Sequence, residues 1–394
     1  MKYNFDKIID RRGTNSLKHD QLTELYGRED LISLWLADMD FKTPDVVADA
    51  IRKRFDHQVY GYSVAPDSYW ESIIKWKKDL NNWEFTREEV TFIPGIIKGI
   101  SYVVNCFTDP GDKILLQPPV YMPFYRLAKE NGRELVFNQL IYTHGTYEMD
   151  LEGLEKTIRT EYPKLMILCN PQNPSGKMWS KETLAKVAEI CAKYHVLVVS
   201  DEIHGDMPLH GNEFHPFALA SETAKNISIC FSAPSKTFNI AGIMSSFVVV
   251  HNPEIRKHFF GYLKTNEYDS PTFIATVATE AAFTKGHEWY GQMIQYIQEN
   301  VDFVHDYISV NIPQIYAVMP DASFLMWLNC NKLELSHDEL IDLFVNKAHL
   351  ALNDGAAFGP GGEGFMRLNV GCPRSILKKA LEQLKAAVED LKKE

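Results

Sequence analysis

The chain has 394 residues, 45% apolar and 24% charged, with a formal net charge of −11 at pH 7. That length suits two domains, or one large domain with a satellite, and the negative balance argues against nucleic-acid or anionic-membrane partners. No apolar run reaches the length of a membrane span, the Met1–Lys7 stretch lacks the apolar core of a signal peptide, and the six cysteines, with no C-x-x-C pair, read as free thiols in a reducing cytoplasm.

In chain order, residues 1 to about 35 are polar and irregular. They end in Trp35-Leu36-Ala37-Asp38-Met39-Asp40-Phe41, which reads as an Asx-bonded turn or as a segment lying over a pocket. Thr43-Pro44-Asp45 carries the signals of a helix start: a capping hydroxyl, a proline in the first turn and an acid at the positive end of the dipole. Tyr60-Gly61-Tyr62-Ser63 ends that helix, and a second is predicted over about 68–80. Val90 to Gly95, followed by Ile96 and Ile97, reads as strand, tight turn and helix. Gly95 allows close backbone approach, and the amides of Ile96 and Ile97 open a helix that can bind an anion.

Further strands are predicted at 113–117, before Pro118-Pro119-Val120-Tyr121, and at 135–137, 164–170, 196–200, 227–231 and 246–250, with a helix over about 181–194. Apolar runs rather than alternation, interleaved with helices, predict a mostly parallel sheet covered on both faces. An amphipathic helix over about 287–310 connects to a small α+β region. That region has strands at 323–329 and 365–370, a Gly359-Pro-Gly-Gly362 loop expected as a mobile pocket edge, and a closing helix through Leu391. The expected division is a segment 1–45 packing with the small domain, a large domain 46–285 and a small domain 286–394.

In an open parallel sheet, ligands bind at the carboxyl ends of strands. Gly95, Asn173, Asp201 and Lys236 all follow such ends, offering a phosphate cradle, an amide, a carboxylate and an amine. Lys236, in Ser232-Ala-Pro-Ser-Lys-Thr-Phe-Asn239, sits between a strand end and Gly242. Crowding there desolvates the amine, lowers its pKa and makes it a nucleophile toward a carbonyl. The set suits pyridoxal 5′-phosphate. Lys236 condenses with the aldehyde, Asp201 keeps the ring nitrogen protonated and Asn173 bonds the phenolic oxygen. Backbone amides with the Ser232 and Ser235 hydroxyls take the phosphate, and Tyr121 stacks on the ring. His204, His210 and His215 lack the fixed spacing of a zinc site, so no metal is expected. His204 reads as a pocket residue near the cofactor, the other two as surface histidines.

Asn170-Pro-Gln-Asn-Pro-Ser-Gly176, Ser200-Asp-Glu-Ile-His204 and Ser232 to Asn239 resemble, over nearly the whole chain and in the expected order, the fold-type-I aminotransferase superfamily of pyridoxal-phosphate enzymes. The resemblance implies an α/β large domain with a mostly parallel seven-stranded sheet, a smaller C-terminal α+β domain, and a homodimer whose sites draw on both subunits. It implies that Arg367, in Phe365-Met-Arg-Leu-Asn-Val370, binds the substrate α-carboxylate, a task for a planar fork. It also implies that Tyr62 reaches the neighbouring phosphate across the dimer, with Tyr60 as the competing assignment. Two positions depart from many transaminases: Met244 stands where an arginine is common, and His204 where a tyrosine is common. Both departures, with Trp35–Phe41 and Lys236–Gly242, are similar to the cystathionine β-lyase branch of bacterial carbon–sulfur lyases. The activity expected from this is β-elimination from small cysteine-S-conjugates in the cytoplasm, giving a thiol, pyruvate and ammonia. A class I/II aminotransferase is the alternative, and a non-catalytic regulatory protein a further one. Ala37, Asp38, Tyr121 and residues 355–364 are expected to line the substrate pocket.

Overall fold

The computed structural model describes residues 2–391. Seven strands form the large sheet: β1 Val90–Ile93, β2 Lys113–Leu116, β3 Glu134–Phe137, β4 Leu165–Cys169, β5 Leu197–Asp201, β6 Ser228–Ser232 and β7 Ser246–Val249. Their order is β1-β7-β6-β5-β4-β2-β3. Only β7 runs antiparallel to its neighbours, so the other six present their carboxyl ends at one edge. Every residue of β4 and β6 is buried, as expected for strands covered on both faces. The helix Ile96–Phe107 lies directly on this sheet. A Cβ at Gly99 would fall 2.5 Å from the Phe231 ring and 2.7 Å from Ile93, so glycine sets the helix–sheet spacing there.

Among the helices with no counterpart in the sequence reading are Pro253–Thr265 and Phe273–Lys285, besides Pro123–Glu130 and Leu151–Glu161. Phe273–Lys285 buries Ala275, Thr276, Ala278, Thr279, Ala281, Ala282 and Phe283. A helix enclosed on nearly all sides shows no apolar stripe for a periodicity argument to find. The segment before Trp35 also differs from its irregular reading: it holds short helices at Leu17–Asp20 and Leu22–Tyr26. Thr43 does not cap the next helix. That helix runs Asp45–Phe55 behind Pro44, and the Thr43 hydroxyl donates to the Asn239 carbonyl at 3.1 Å.

The smaller C-terminal domain follows the helix His287–Asn311. Its strands are β8 Tyr316–Val318, β9 Leu325–Asn329, β10 Asn353–Asp354 and β11 Phe365–Asn369, ordered β8-β9-β11-β10 and antiparallel. The helix Arg374–Leu391 closes it. The N-terminal segment packs here: Phe5 meets Trp289 and Tyr296, and Ile32–Ser33 pairs in parallel with Leu350–Ala351. The Gly359-Pro-Gly-Gly362 loop, expected as a mobile edge, follows Phe358, which is fastened to the large domain. The Phe358 carbonyl accepts from the Val120 amide at 2.9 Å and the Tyr125 hydroxyl at 2.6 Å, and a Cβ at Gly359 would strike that hydroxyl at 2.1 Å.

Candidate active site

Strands β4, β5 and β6 end in register, with Cys169 opposite Asp201 and Asp201 opposite Phe231. The segments that carry Asn173, His204 and Lys236 therefore leave the sheet side by side. Asp201 is buried and accepts from the Ile203 amide at 3.1 Å. Burial pushes its carboxyl up to about 6, against the pull of the Ile203 N–H and the Lys236 cation.

Lys236 lies in a short helix, Pro234–Thr237, rather than in a loop. Pro234 at the first position, preset for helical φ, starts that turn. The Lys236 amine donates to the Ala37 carbonyl. Burial, helped by the Arg367 cation and opposed by Asp38 and Asp201, lowers its pKa to about 8. One brace of this turn escaped the sequence reading. Asp206 pairs with buried Lys77 and accepts from Trp76 Nε1 at 2.9 Å and Thr237 Oγ1 at 3.3 Å, tying the turn to the helix Asp67–Asn81.

Arg367 stands on β11, buried. Nη1 donates to Asn173 Oδ1 at 2.8 Å, and Nη2 to the Trp35 carbonyl at 2.9 Å and to Asn353 Oδ1; Nε is enclosed without a partner. Phe358 lies 5.1 Å from the guanidinium carbon. Burial lowers Arg367 to about 10, which leaves it cationic at neutral pH. All three oxygens it holds are neutral. A buried cation without an anion is costly, so this geometry is that of an anion site. Because Asn173 Oδ1 is taken by Arg367, Asn173 Nδ2 remains as a donor.

At the other end, Gly95 adopts φ +149°, with nothing within 4 Å of where a Cβ would be. The helix Ile96–Phe107 starts behind it. A cavity of about 250 Å³ is lined by Gly95, Ile96, Ile97, Ser235, Lys236 and Met244, among others. Met244 borders this cavity at φ +57°. Ser232 is not in that lining; it ends β6 with its Oγ enclosed and unpartnered.

The segment Leu36–Phe41 is clamped from two sides, by asparagines whose role the sequence did not reveal. Asn239, at φ +55°, donates to the Met39 and Phe41 carbonyls at 2.8 Å each and accepts from the Met39 amide at 3.0 Å. Asn369 donates to the Leu36 and Asp38 carbonyls at 2.6 and 2.7 Å. Ala37 thus contributes its carbonyl. The Asp38 carboxylate is engaged by Arg11 at 2.7 Å, and Asp40 by Lys18 and Arg11 at 2.8 Å each.

His204 is buried, with Nδ1 2.9 Å from Ser323 Oγ. Burial, then the Lys236 and Arg367 cations, push it down to about 3, so it is neutral. Tyr121 is half-buried beside Phe124, and burial raises its hydroxyl pKa. Tyr62 is fully exposed, whereas Tyr60 stacks on Phe273 at 5.8 Å and donates to the Phe55 carbonyl at 3.0 Å. His210 pairs with Asp302 at 2.7 Å, and the His215 carbonyl accepts from Asn170. The six cysteines are free.

These features fit pyridoxal 5′-phosphate. A half-buried amine with a depressed pKa, a buried carboxylate near enough to pull on it, a free amide donor and an open helix N-terminus at a cavity are what its aldehyde, ring nitrogen, phenolic oxygen and phosphate require.

Comparison with known proteins agrees. The family model for aminotransferase class I and II matches residues 29–384. The chain is 40% identical over 385 residues to cystathionine beta-lyase PatB of Bacillus subtilis, covering 98% of this chain and 100% of that protein. Among solved structures, cystalysin from Treponema denticola, which contains a pyridoxal 5′-phosphate cofactor, superposes with a TM-score of 0.95 at 32% identity, covering 99% and 100% of the two chains. The pyridoxal-phosphate-bound C-S lyase of Staphylococcus hominis gives 0.91 at 34% identity, covering 98% of each. The chain belongs to the aminotransferase class I and II family.

Proposed function

We propose that this protein is a pyridoxal-phosphate-dependent carbon–sulfur lyase acting on cysteine-S-conjugates such as cystathionine. The observation that carries this reading is the pairing of a buried guanidinium bonded only to neutral oxygens with a half-buried amine lowered to about 8. An amino-acid substrate answers both, its carboxylate supplying the missing anion while its Cα is brought to the amine.

When bound, pyridoxal phosphate supplies an electron sink conjugated to the substrate nitrogen. The other tasks fall to the chain. Lys236 would hold the cofactor, and its free amine would take the Cα proton as general base. Arg367 fixes the carboxylate and with it the orientation of the Cα–H bond. Asp201 would pair with the ring nitrogen and hold a proton on it, a cation that would offset the burial that raises the carboxyl's pKa. Asn173 Nδ2 donates to the phenolic oxygen and Tyr121 covers the ring. The amides of Ile96 and Ile97 with the Ser235 hydroxyl hold the phosphate. As the Cα proton leaves, the β-carbon–sulfur bond breaks and expels a thiolate, a competent leaving group because thiols are fairly acidic. The remaining three-carbon fragment takes up water and yields pyruvate and ammonia; from cystathionine the thiol is homocysteine.

Two experiments test this reading. Holoenzyme given cystathionine without any keto acid should release pyruvate and homocysteine in equal amounts. Product that forms only when a keto acid is added would instead identify an aminotransferase. The second concerns the amine. Only neutral Lys236 attacks the aldehyde, so apo-protein mixed with pyridoxal phosphate should gain near-visible absorbance at a rate that climbs about tenfold per pH unit below the amine's pKa. The rate should level off above about 8. A rate still climbing through the ordinary lysine range contradicts a desolvated Lys236.

We further infer a homodimer in which Tyr62 reaches the phosphate of a second copy. Its full exposure supports this, as does the engagement of Tyr60 within its own chain. No helix among the described residues is long and apolar enough to cross a membrane, and a small-molecule enzyme of the cytoplasm is the setting we assign. The division we propose is 1–45 packing with the small domain, 46–285 holding the cofactor, and 286–394 carrying Arg367.

A further inference from the structure

Ser323, just ahead of β9, is a buried non-glycine residue at φ +79°. Glycine would occupy that backbone without strain. Its segment is fastened to the large domain through the backbone. The Ser323 amide donates to the Met207 carbonyl at 2.9 Å, Leu209 to Asp321 at 2.9 Å and Ala322 to Gly176 at 3.1 Å. None of these bonds needs a side chain at 323.

The hydroxyl has one partner among the described residues, Nδ1 of His204 at 2.9 Å. A buried hydroxyl proton needs an acceptor, and no other is in reach, so Ser323 donates and Nδ1 accepts. The imidazole is buried, meets Phe324 edge-on at 6.0 Å and has the cations Lys236 and Arg367 as its charged neighbours. It stays neutral and carries a single N–H. With Nδ1 accepting, that proton is on Nε2, which has no partner among the described residues.

We propose that Ser323 is a positioning residue: its hydroxyl locks His204 as the Nε2–H tautomer, so that the imidazole offers a hydrogen-bond donor to the phenolic oxygen of the bound cofactor. This rests on the cofactor reading above. It also accounts for a serine held at a glycine conformation, since the hydroxyl is what glycine lacks.

The test is an absorbance titration of the holoenzyme across neutral and alkaline pH, for wild type, Ser323→Ala and Ser323→Gly, each also in a His204→Gln background. A donor on the phenolic oxygen favours its deprotonated form, so losing it should raise the midpoint of the near-visible band by about 0.5–1 pH unit in both serine variants. Ser323→Gly should melt no lower than wild type, because its backbone strain is relieved. In the His204→Gln background neither serine substitution should move the midpoint further. Midpoints within about 0.2 unit of wild type, or a shift that persists undiminished without His204, would overturn the proposal. A wild-type protein with no near-visible band is a different failure, that of the cofactor reading.

Discussion

Lys236→Ala should release no measurable pyruvate from cystathionine and should bind pyridoxal phosphate only reversibly. The substitution removes the covalent tether and the proton acceptor together, and the base alone accounts for about 10²–10⁴-fold in rate. The fold should survive. The wild-type amine is desolvated enough to lower its pKa to about 8, so deleting it relieves a desolvation penalty. Asp201 keeps its Ile203 amide, and Arg367 its three oxygens. An unchanged melting temperature with lost turnover is the expected pair of results. A variant that still released pyruvate would remove Lys236 from the chemistry.

Arg367→Lys should lower kcat/KM by about 10²-fold or more, mostly through KM, because lysine keeps the charge but loses the planar fork. Arg367→Met should cost more still, since Asn173 Oδ1 and Asn353 Oδ1 lose their donor inside the protein. The two variants also differ in sign at Lys236. The Arg367 cation is one of the groups that hold the Lys236 pKa down. In the methionine variant the midpoint for cofactor capture should therefore rise, while in the lysine variant it stays. Substrate kinetics within threefold of wild type in both would mean that the carboxylate binds elsewhere.

The layout of the large sheet was legible because its strands announce themselves as short, fully apolar runs ending in turn formers, as in Leu165–Cys169 before Asn170-Pro171. The direction of β7 was not. An apolar run such as Ser246–Val249 reads alike in either sense. Phe273–Lys285 was missed because burial on nearly all sides erases the stripe that marks a helix. At the site, single residues at strand ends could be named because their chemistry is distinctive: an amine, a carboxylate and an amide; Arg367, inside β11, was reached only through the family resemblance. What holds them could not. Asn239 grips Met39 across 200 positions and Asn369 grips Leu36 across 333. Asparagine has too many local uses to signal a distant partner. The same holds for Ser323 and for the Lys77–Asp206 pair, whose members make sense only once the chain has folded.

The most direct test of the account is where the cofactor becomes attached. Holoenzyme reduced with borohydride, digested and mapped by peptide mass should carry one pyridoxyl-phosphate group per chain, on the peptide containing Lys236 and absent from Lys236→Ala treated alike. Label on another lysine, or none, would contradict the convergence of the four strand ends on one vitamin B6 molecule.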